Sequence, residues 1–328
     1  MKSKLLKGIC ALILLSATLL TGCRSTTNQV IIYSNADDEA VTAMKNALDN
    51  HGYEGQYLFQ TFGTSELGGK LLAEGTNIEA DLITMSSFYL DSAQSQNQMF
   101  VDLDFQTKTL QEYPSFYTPI TSQEGSLIMN TEELKASHLS VPTALKDLAK
   151  PEYKNMISVT DISSSSTAWL LIQALVSEYG ESGAKDVLKG IYQNAGAHIE
   201  KSGSGPIKKV RSGEITIGFG LRHQAVRDKT SGLPIDYVDP IEGNFSLTES
   251  VAVVNKKESD QQKRAMKMAQ CIIENGRKEL LETYPNPLYE GESSSSEFKS
   301  AYPKVFQEKL TADLLKKHQQ LSEECKEN

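Results

Sequence analysis

A chain of 328 residues is too long for one small core and long enough for two lobes of roughly 100 to 150 residues each. Apolar residues make up 39% and charged residues 23%, the balance of an ordinary soluble globule. The formal charge of −9 excludes a nucleic-acid or anionic-membrane partner held by bulk electrostatics, so any anion bound here must be held by local geometry.

The chain opens with a segment that stands apart from the fold. Lys2, Lys4 and Lys7 form a basic start, an apolar run follows from Gly8 to Leu20, and Leu20-Thr21-Gly22-Cys23 closes it. The run is too short for a comfortable membrane span. Its ending resembles the lipobox of bacterial lipoproteins, which implies cleavage before Cys23 and a diacylglycerol on its sulfur. Residues 1–22 then form a lipoprotein signal peptide and residues 23–29 a lipidated tether; an uncleaved signal anchor is the alternative. Loss of the three lysines takes the formal charge from −9 to −12. Of the four cysteines, this leaves Cys271 and Cys325. They either pair in an oxidising compartment or, since Cys271 falls in an apolar helical pattern, stay as thiols.

From Val30 onward, short apolar runs alternate with helical patterns, the signal of an α/β protein. Strands are predicted at Val30 to Ser34, Ala80 to Met85, Ser126 to Met129, Ile157 to Thr160, Ile215 to Gly220 and Ser250 to Val254. Helical spacing appears at Val41, Met44 and Leu48 and again at Val187, Leu188 and Ile191, and Ala168 to Val176 is apolar nearly all round, as in a buried helix. The last third changes character. Asp260 to Tyr284 and Pro303 to Gln320 read as two long amphipathic helices, separated by a Pro-, Gly- and Ser-rich loop that includes Ser293 to Ser296.

Four times a Ser/Thr/Gly/Asn turn opens a helix: at Ser34-Asn35, at Gly63-Thr64-Ser65, at Ser163 to Thr167, and at Ser202 to Gly205 before Pro206. Each is explained by capping alone, because these side chains accept hydrogen bonds from unpaired amides and proline suits the first helical position. The same amides, with the helix dipole, can instead hold an oxyanion. Several such ends around one crevice would make a site without net positive charge, and in an open α/β sheet that crevice lies beyond the carboxyl ends of the strands.

Taken in order, Tyr33-Ser34-Asn35, Lys201-Ser202-Gly203-Ser204-Gly205-Pro206, Arg211-Ser212-Gly213-Glu214 leading into Ile215 to Gly218, and Asp239-Pro240-Ile241-Glu242-Gly243 resemble the solute-binding proteins of ABC importers. The nearest branch contains ferric-iron, hexose-phosphate and 2-aminoethylphosphonate binders. The resemblance spans Val30 to Asn255. It implies a two-lobed type II periplasmic-binding-protein fold, with lobe one formed by 30–124 and 247–328, lobe two by 125–246, and a hinge of crossing strands near Gly125 and Ser246 to Val251. It also implies a monomer outside the bacterial cell membrane, anchored by Cys23, that captures a small solute by lobe closure and hands it to a permease and ATPase. No cofactor, metal or nucleic acid is expected.

The iron-binding members have adjacent tyrosines after the strand equivalent to Ile215 to Gly220. This chain has Leu221-Arg222-His223-Gln224 there, which favours an oxyanion, an organophosphonate or a phosphate ester, over iron; a ferric-iron binder and a non-transport interaction lipoprotein remain the alternatives. The expected ligand residues are Ser34, Asn35, Thr64, Ser65, Ser164, Ser165, Thr167, Ser202, Gly203 and Ser204, donating to the oxyanion. Arg222, His223 and Glu242 are expected to choose what is attached to it.

Enzyme readings fare worse. Gly63 to Lys70, GTSELGGK, approaches a P-loop, but Lys70 follows two glycines and no Ser or Thr follows it. Neither a Gly-x-Ser-x-Gly elbow nor a paired-histidine metal motif occurs, and the five histidines are scattered. No enzymatic activity is expected.

Overall fold

The structure, a computed structural model, describes residues 29–326; the expected signal peptide and Cys23 lie outside the described residues. Among the described residues nine strands form one hydrogen-bonded sheet: β1 Val30–Ser34, β2 Tyr57–Thr61, β3 Leu82–Ser86, β4 Tyr117–Asn130, β5 Ile157–Thr160, β6 Ile199–Glu200, β7 Ile217–Leu221, β8 Ile235–Val238 and β9 Ser246–Val253. Their order is β2-β1-β3-β9-β4-β7-β5-β6, with β8 also on β4. Helices α1 Asp38–Leu48, α2 Thr64–Glu74 and α3 Ser87–Asn97 follow the first three strands. Helix α4 Thr131–Ala136 follows β4, α5 Thr167–Ala195 follows β5, α6 Gly205–Arg211 follows β6 and α7 Arg222–Thr230 follows β7. After β9 come α8 Asp260–Cys271, α9 Arg277–Thr283 and α10 Ala312–Lys326.

Strand β4 decides the shape. Its residues from Tyr117 to Glu124 pair with β9, while Gly125 to Met129 pair with β7, so the strand changes partners between Glu124 and Gly125. Glycine is required at that point: a Cβ on Gly125 would lie 2.3 Å from Phe219 Cζ and 3.2 Å from Leu170 Cβ. The registers then fix where the strand ends point. Gly125 pairs with Leu221, the last residue of β7, and Glu249 pairs with both Thr121 and Ser86, the last residue of β3. Strands β1 to β3 are parallel to one another, as are β5 to β7. The carboxyl ends of both groups therefore converge on the crossover, one group from each lobe.

Packing follows the hydrophobic periods. Val41, Met44 and Leu48 of α1 meet Met268 and Ile272 over Val30, Ile32 and Val253. On the other face a continuous core runs from Leu67 and Ile83 to Trp169, Leu188 and Leu315. Phe88 at the start of α3 meets Trp169 of α5 edge to face, with centroids 4.9 Å apart. The start of α5 is buried as its all-round apolar sequence predicts, and the helix breaks at Gly180, whose φ of 67° is left-handed.

Two expectations about the C-terminal third need correction. Helix α10 begins at Ala312 and not at Pro303, because Thr311 caps it: its Oγ1 accepts from the Leu314 amide at 3.1 Å. Nor does it stay with lobe one, where the sequence places residues 247–328. Leu314, Leu315, Leu321 and Cys325 are buried and the helix lies along α5, with Trp169 Nε1 donating to His318 Nδ1 at 2.7 Å. Its amphipathic stripe was legible; the surface that covers it was not. Cys271 and Cys325 are both buried free thiols, in separate cores.

Replacing Gly125 with Ala is expected to lower stability by about 1–3 kcal/mol through overpacking. The check is a lower urea midpoint at unchanged m-value, partly restored by Phe219→Leu in the double variant.

Candidate functional site

A cavity of about 380 Å³ opens where the strand ends converge, within the usual size of small-ligand pockets. From lobe one come the turn after β1, with Asn35 and Asp37, and the turn after β2, with Phe62, Gly63 and Thr64. Lobe two supplies Ser164 to Thr167 after β5 and Lys201 to Ser204 after β6. Gln123 of β4, Leu221 of β7 and Glu249 of β9 complete it at the crossover. The lobes approach closely: a Cβ on Gly63 would lie 3.8 Å from the Ser164 carbonyl oxygen.

Three helices start on this cavity with caps that their own N-cap side chains leave open. Gly63 precedes α2 and has no side chain to offer; Ser166 before α5 and Ser204 before α6 do not turn back onto their helices. Helix α1 differs, since its N-cap Asp37 accepts from the Ala40 amide at 3.1 Å. At α5 the amides of Thr167, Ala168 and Trp169 are held by Ser165 and Ser166, while those of Thr64 to Glu66 at α2 and of Ser202 to Ser204 before α6 have no partner among the described residues. Such amides, with the positive ends of the helix dipoles on the same small volume, attract negative charge.

The two lobe-two turns are built around one another. Asp161 holds the first, accepting from the Ser163 amide at 3.1 Å and from Ser164 Oγ at 3.3 Å. Lys326, the last described residue of α10, donates to Asp161 at 2.7 Å. Glycine at 203 lets the second turn close on the first, for a Cβ there would lie 2.2 Å from Thr167 Oγ1. On the lobe-one side, Asn35 Nδ2 donates at 3.0 Å to both Thr64 Oγ1 and Glu249 Oε1.

Acidic groups sit on the floor. Burial first, and then the neighbouring Asp37, push the Glu249 carboxyl up to about 7, against the opposing hydrogen bonds from Asn35 and Ser86. Burial likewise raises Asp37 above the usual carboxylate range, although the Tyr284 hydroxyl donates to it. Glu66 also lines the cavity, and Lys201 is the one cation among the described lining residues.

The structure thus gathers Asn35 and Thr64 from one lobe with Ser164, Ser165, Thr167, Ser202, Gly203 and Ser204 from the other. Five expected residues stand elsewhere. Ser34 is fully buried beneath the cavity, where its Oγ accepts from Thr84 Oγ1 at 2.7 Å and from the Ala36 amide at 3.0 Å, locking the turn. Ser65 faces α10, accepting from Gln319 Nε2 at 3.4 Å.

Arg222, His223 and Glu242, the expected selectors, lie outside the cavity lining and are spent on the fold. The Arg222 guanidinium grips Asp239 at 2.8 and 3.2 Å, donates to the carbonyls of Glu297 and Lys299, and lies over the Tyr237 ring. It pins the serine-rich loop and has little left to offer an anion. His223 packs on the Tyr284 ring at 4.8 Å, and burial followed by Arg227 lowers it to about 3, so the imidazole stays neutral. Glu242 is completely buried and accepts from the amides of Leu145 and Lys146 and from the Tyr179 hydroxyl at 2.8–3.1 Å.

Sequence reasoning missed Asp37, Phe62, Glu66, Gln123, Lys201, Leu221 and Glu249 as lining residues. Asp37 adjoins the first serine turn and Lys201 the last, so proximity was an available signal for both. Nothing local marks Glu249; it faces the cavity because of its register opposite Ser86 and Thr121.

A two-lobed α/β molecule whose strand ends and helix starts surround one polar cavity between the lobes has the fold of the type II periplasmic binding proteins. Residues 77–282 match the family described as bacterial extracellular solute-binding protein, and the chain belongs to that family. It is similar to an uncharacterised protein of Haemophilus influenzae, 24% identical over 253 residues that cover 74% of this chain and 72% of the relative. Among solved structures it is similar to the periplasmic binding protein AfuA from Actinobacillus pleuropneumoniae with fructose-6-phosphate bound: 22% identity, TM-score 0.72, covering 90% of this chain and 97% of that one. It is also similar to iron-bound HitA from Pseudomonas aeruginosa, with 18% identity, TM-score 0.72, and coverage of 90% and 99%. These likenesses show the fold. Members of the family bind a small solute and work with an ABC permease and ATPase. Among the described residues no helix is long and apolar enough to cross a membrane.

Because Arg222 is a buried structural ion pair, Arg222→Ala is expected to lower stability by about 3–5 kcal/mol. The dissociation constant of the folded fraction for the protein's solute should change less than about twofold. Urea denaturation and calorimetry on the same sample separate the two effects.

Proposed function

We propose that this protein captures a small oxyanion, an organophosphonate such as 2-aminoethylphosphonate or a phosphate ester, between its lobes and delivers it to an ABC permease. One observation carries the reading: the starts of α2, α5 and α6 face one cavity from both lobes, with unpartnered amides at Thr64 to Glu66 and at Ser202 to Ser204. An oxyanion there draws on amides of both lobes at once, so the bound state is the closed state. AfuA, which shares the fold and holds a sugar phosphate, is consistent with this chemistry.

Iron is the competing reading, raised by HitA. The cavity favours the oxyanion, because no tyrosine or histidine occurs among its described lining residues. The lobes correspond to residues 30–124 with the return after 247, and to residues 125–246, with β4 and β9 as the hinge and α10 attached to lobe two. The mature chain is a monomer held at the outer face of the cell membrane by lipid on Cys23.

Calorimetry of the purified chain against 2-aminoethylphosphonate, ethylphosphonate, hexose phosphates, inorganic phosphate and Fe³⁺ tests the function. Binding of a phosphonate or phosphate, accompanied by a rise in melting temperature, is expected. Tight Fe³⁺ binding with a charge-transfer colour would replace this reading. Gly203→Ala, which drives a Cβ into Thr167, is expected to weaken oxyanion binding about tenfold and to lower the melting temperature as well. Metabolic labelling with palmitate should mark the wild-type chain and leave Cys23→Ser unmarked; label on both would remove the anchor.

A further inference from the structure

We propose that the captured oxyanion also carries a protonated amine, and that Glu249, with Asp37 beside it, receives that amine on the floor of the cleft. This rests on the oxyanion reading above and names the other end of the ligand. Three observations lead to it. Glu249 is only 8% exposed yet lines the cavity. Its Oε1 accepts from Asn35 Nδ2 at 3.0 Å and Ser86 Oγ at 3.4 Å, while Oε2 has no partner among the described residues. The neighbouring Asn35 Oδ1 is a buried acceptor that likewise lacks a donor. Asp37 uses one carboxylate oxygen, Oδ1, to cap α1 and to accept from the Tyr284 hydroxyl, and it too lines the cavity.

With Glu249 ionised this floor accepts and scarcely donates, the opposite of the walls. An ionised oxyanion has no proton to give it. A ligand hydroxyl would satisfy a hydrogen bond but leave the buried Glu249 and the half-buried Asp37 without a counter-charge, which is costly in a partly dehydrated site. An ammonium group provides both the donors and the charge, with three protons to share among carboxylate oxygens.

The charged and titratable surroundings are consistent on every side. The turn before α1 brings Asp37, the segment after α9 brings Tyr284, and the cavity wall brings Glu66 from α2 and the exposed Lys201 from across the cleft. Strands β3 and β4 contribute only the uncharged Ser86 and Gln123. With the cleft empty, burial and Asp37 keep Glu249 partly protonated near neutral pH. An ammonium favours its ionised form, so binding of an aminated ligand should strengthen as pH rises through about 7.

The test compares 2-aminoethylphosphonate with ethylphosphonate, which differ by the amine, and adds a hexose phosphate and putrescine as controls. In calorimetry the aminated phosphonate should bind at least about 100-fold more tightly than ethylphosphonate. Glu249→Gln, and separately Asp37→Asn, which keeps a side chain able to cap α1, should cut that ratio below about tenfold while ethylphosphonate still binds. In the wild type, the ratio should grow between about pH 6 and about pH 8, and the growth should vanish in Glu249→Gln. Equal affinity for the two phosphonates, or tighter binding of the hexose phosphate, would overturn the amine assignment and leave the oxyanion reading standing. Binding of putrescine with no phosphonate binding would overturn the oxyanion reading itself.

Discussion

The exchange of partners by β4 between Glu124 and Gly125 is the constraint on which the rest of the molecule depends. A strand that leaves one group of parallel neighbours and enters another must have both groups meet where it crosses. Here the registers make that meeting place the carboxyl end of each group. The turns that lead into α2, α5 and α6 therefore face the same volume. The site is a consequence of topology before any ligand-specific side chain is considered. The absent side chain at Gly125, which leaves room for Phe219, is as much a part of that topology as the hydrogen bonds are.

This arrangement would let an acidic chain hold the proposed anion. Long-range attraction is unavailable at a formal charge of −9, and the most obvious local cation, Arg222, is locked to Asp239 and two carbonyls. Dipoles and amides act at short range, where net charge matters least. The cavity is consequently two-faced, with donors at the helix starts and acceptors at Glu249, Asp37 and Asn35. That polarity would orient the proposed ligand as well as attract it, because turning it end for end would set its oxyanion against carboxylates.

Much of this was legible in the sequence where the chemistry is local. The turns at Gly63-Thr64, Ser163 to Thr167 and Ser202 to Gly205 declare themselves as helix starts by residue type, and β1, by its apolar run, and β5, by alternation in Ile-Ser-Val-Thr, have the predicted boundaries. Strand β2 escaped notice because it is an edge strand with no residue fully buried, so its YLFQT lacks a clean pattern. Only the far end of β4 was predicted, since Pro119 and the polar residues from Thr121 to Glu124 disguise a strand of 14 residues. Arg222, His223 and Glu242 have types that suit a ligand, but whether an arginine faces solute or an internal aspartate is decided by residues far along the chain. Asp239, Glu297 and Lys299 settle it for Arg222. Glu249 shows the same limit in reverse, for only its register across β3 and β4 turns an unmarked glutamate toward the cavity.

The central claim is that amides of both lobes hold one anion together. Amide-resolved NMR during titration with 2-aminoethylphosphonate tests it most directly. The account predicts that the amides of Thr64 and Ser65 in lobe one and of Thr167, Gly203 and Ser204 in lobe two shift along a single saturation curve. Shifts confined to one lobe, or centred on Arg222 and His223 while these amides stay still, would contradict it.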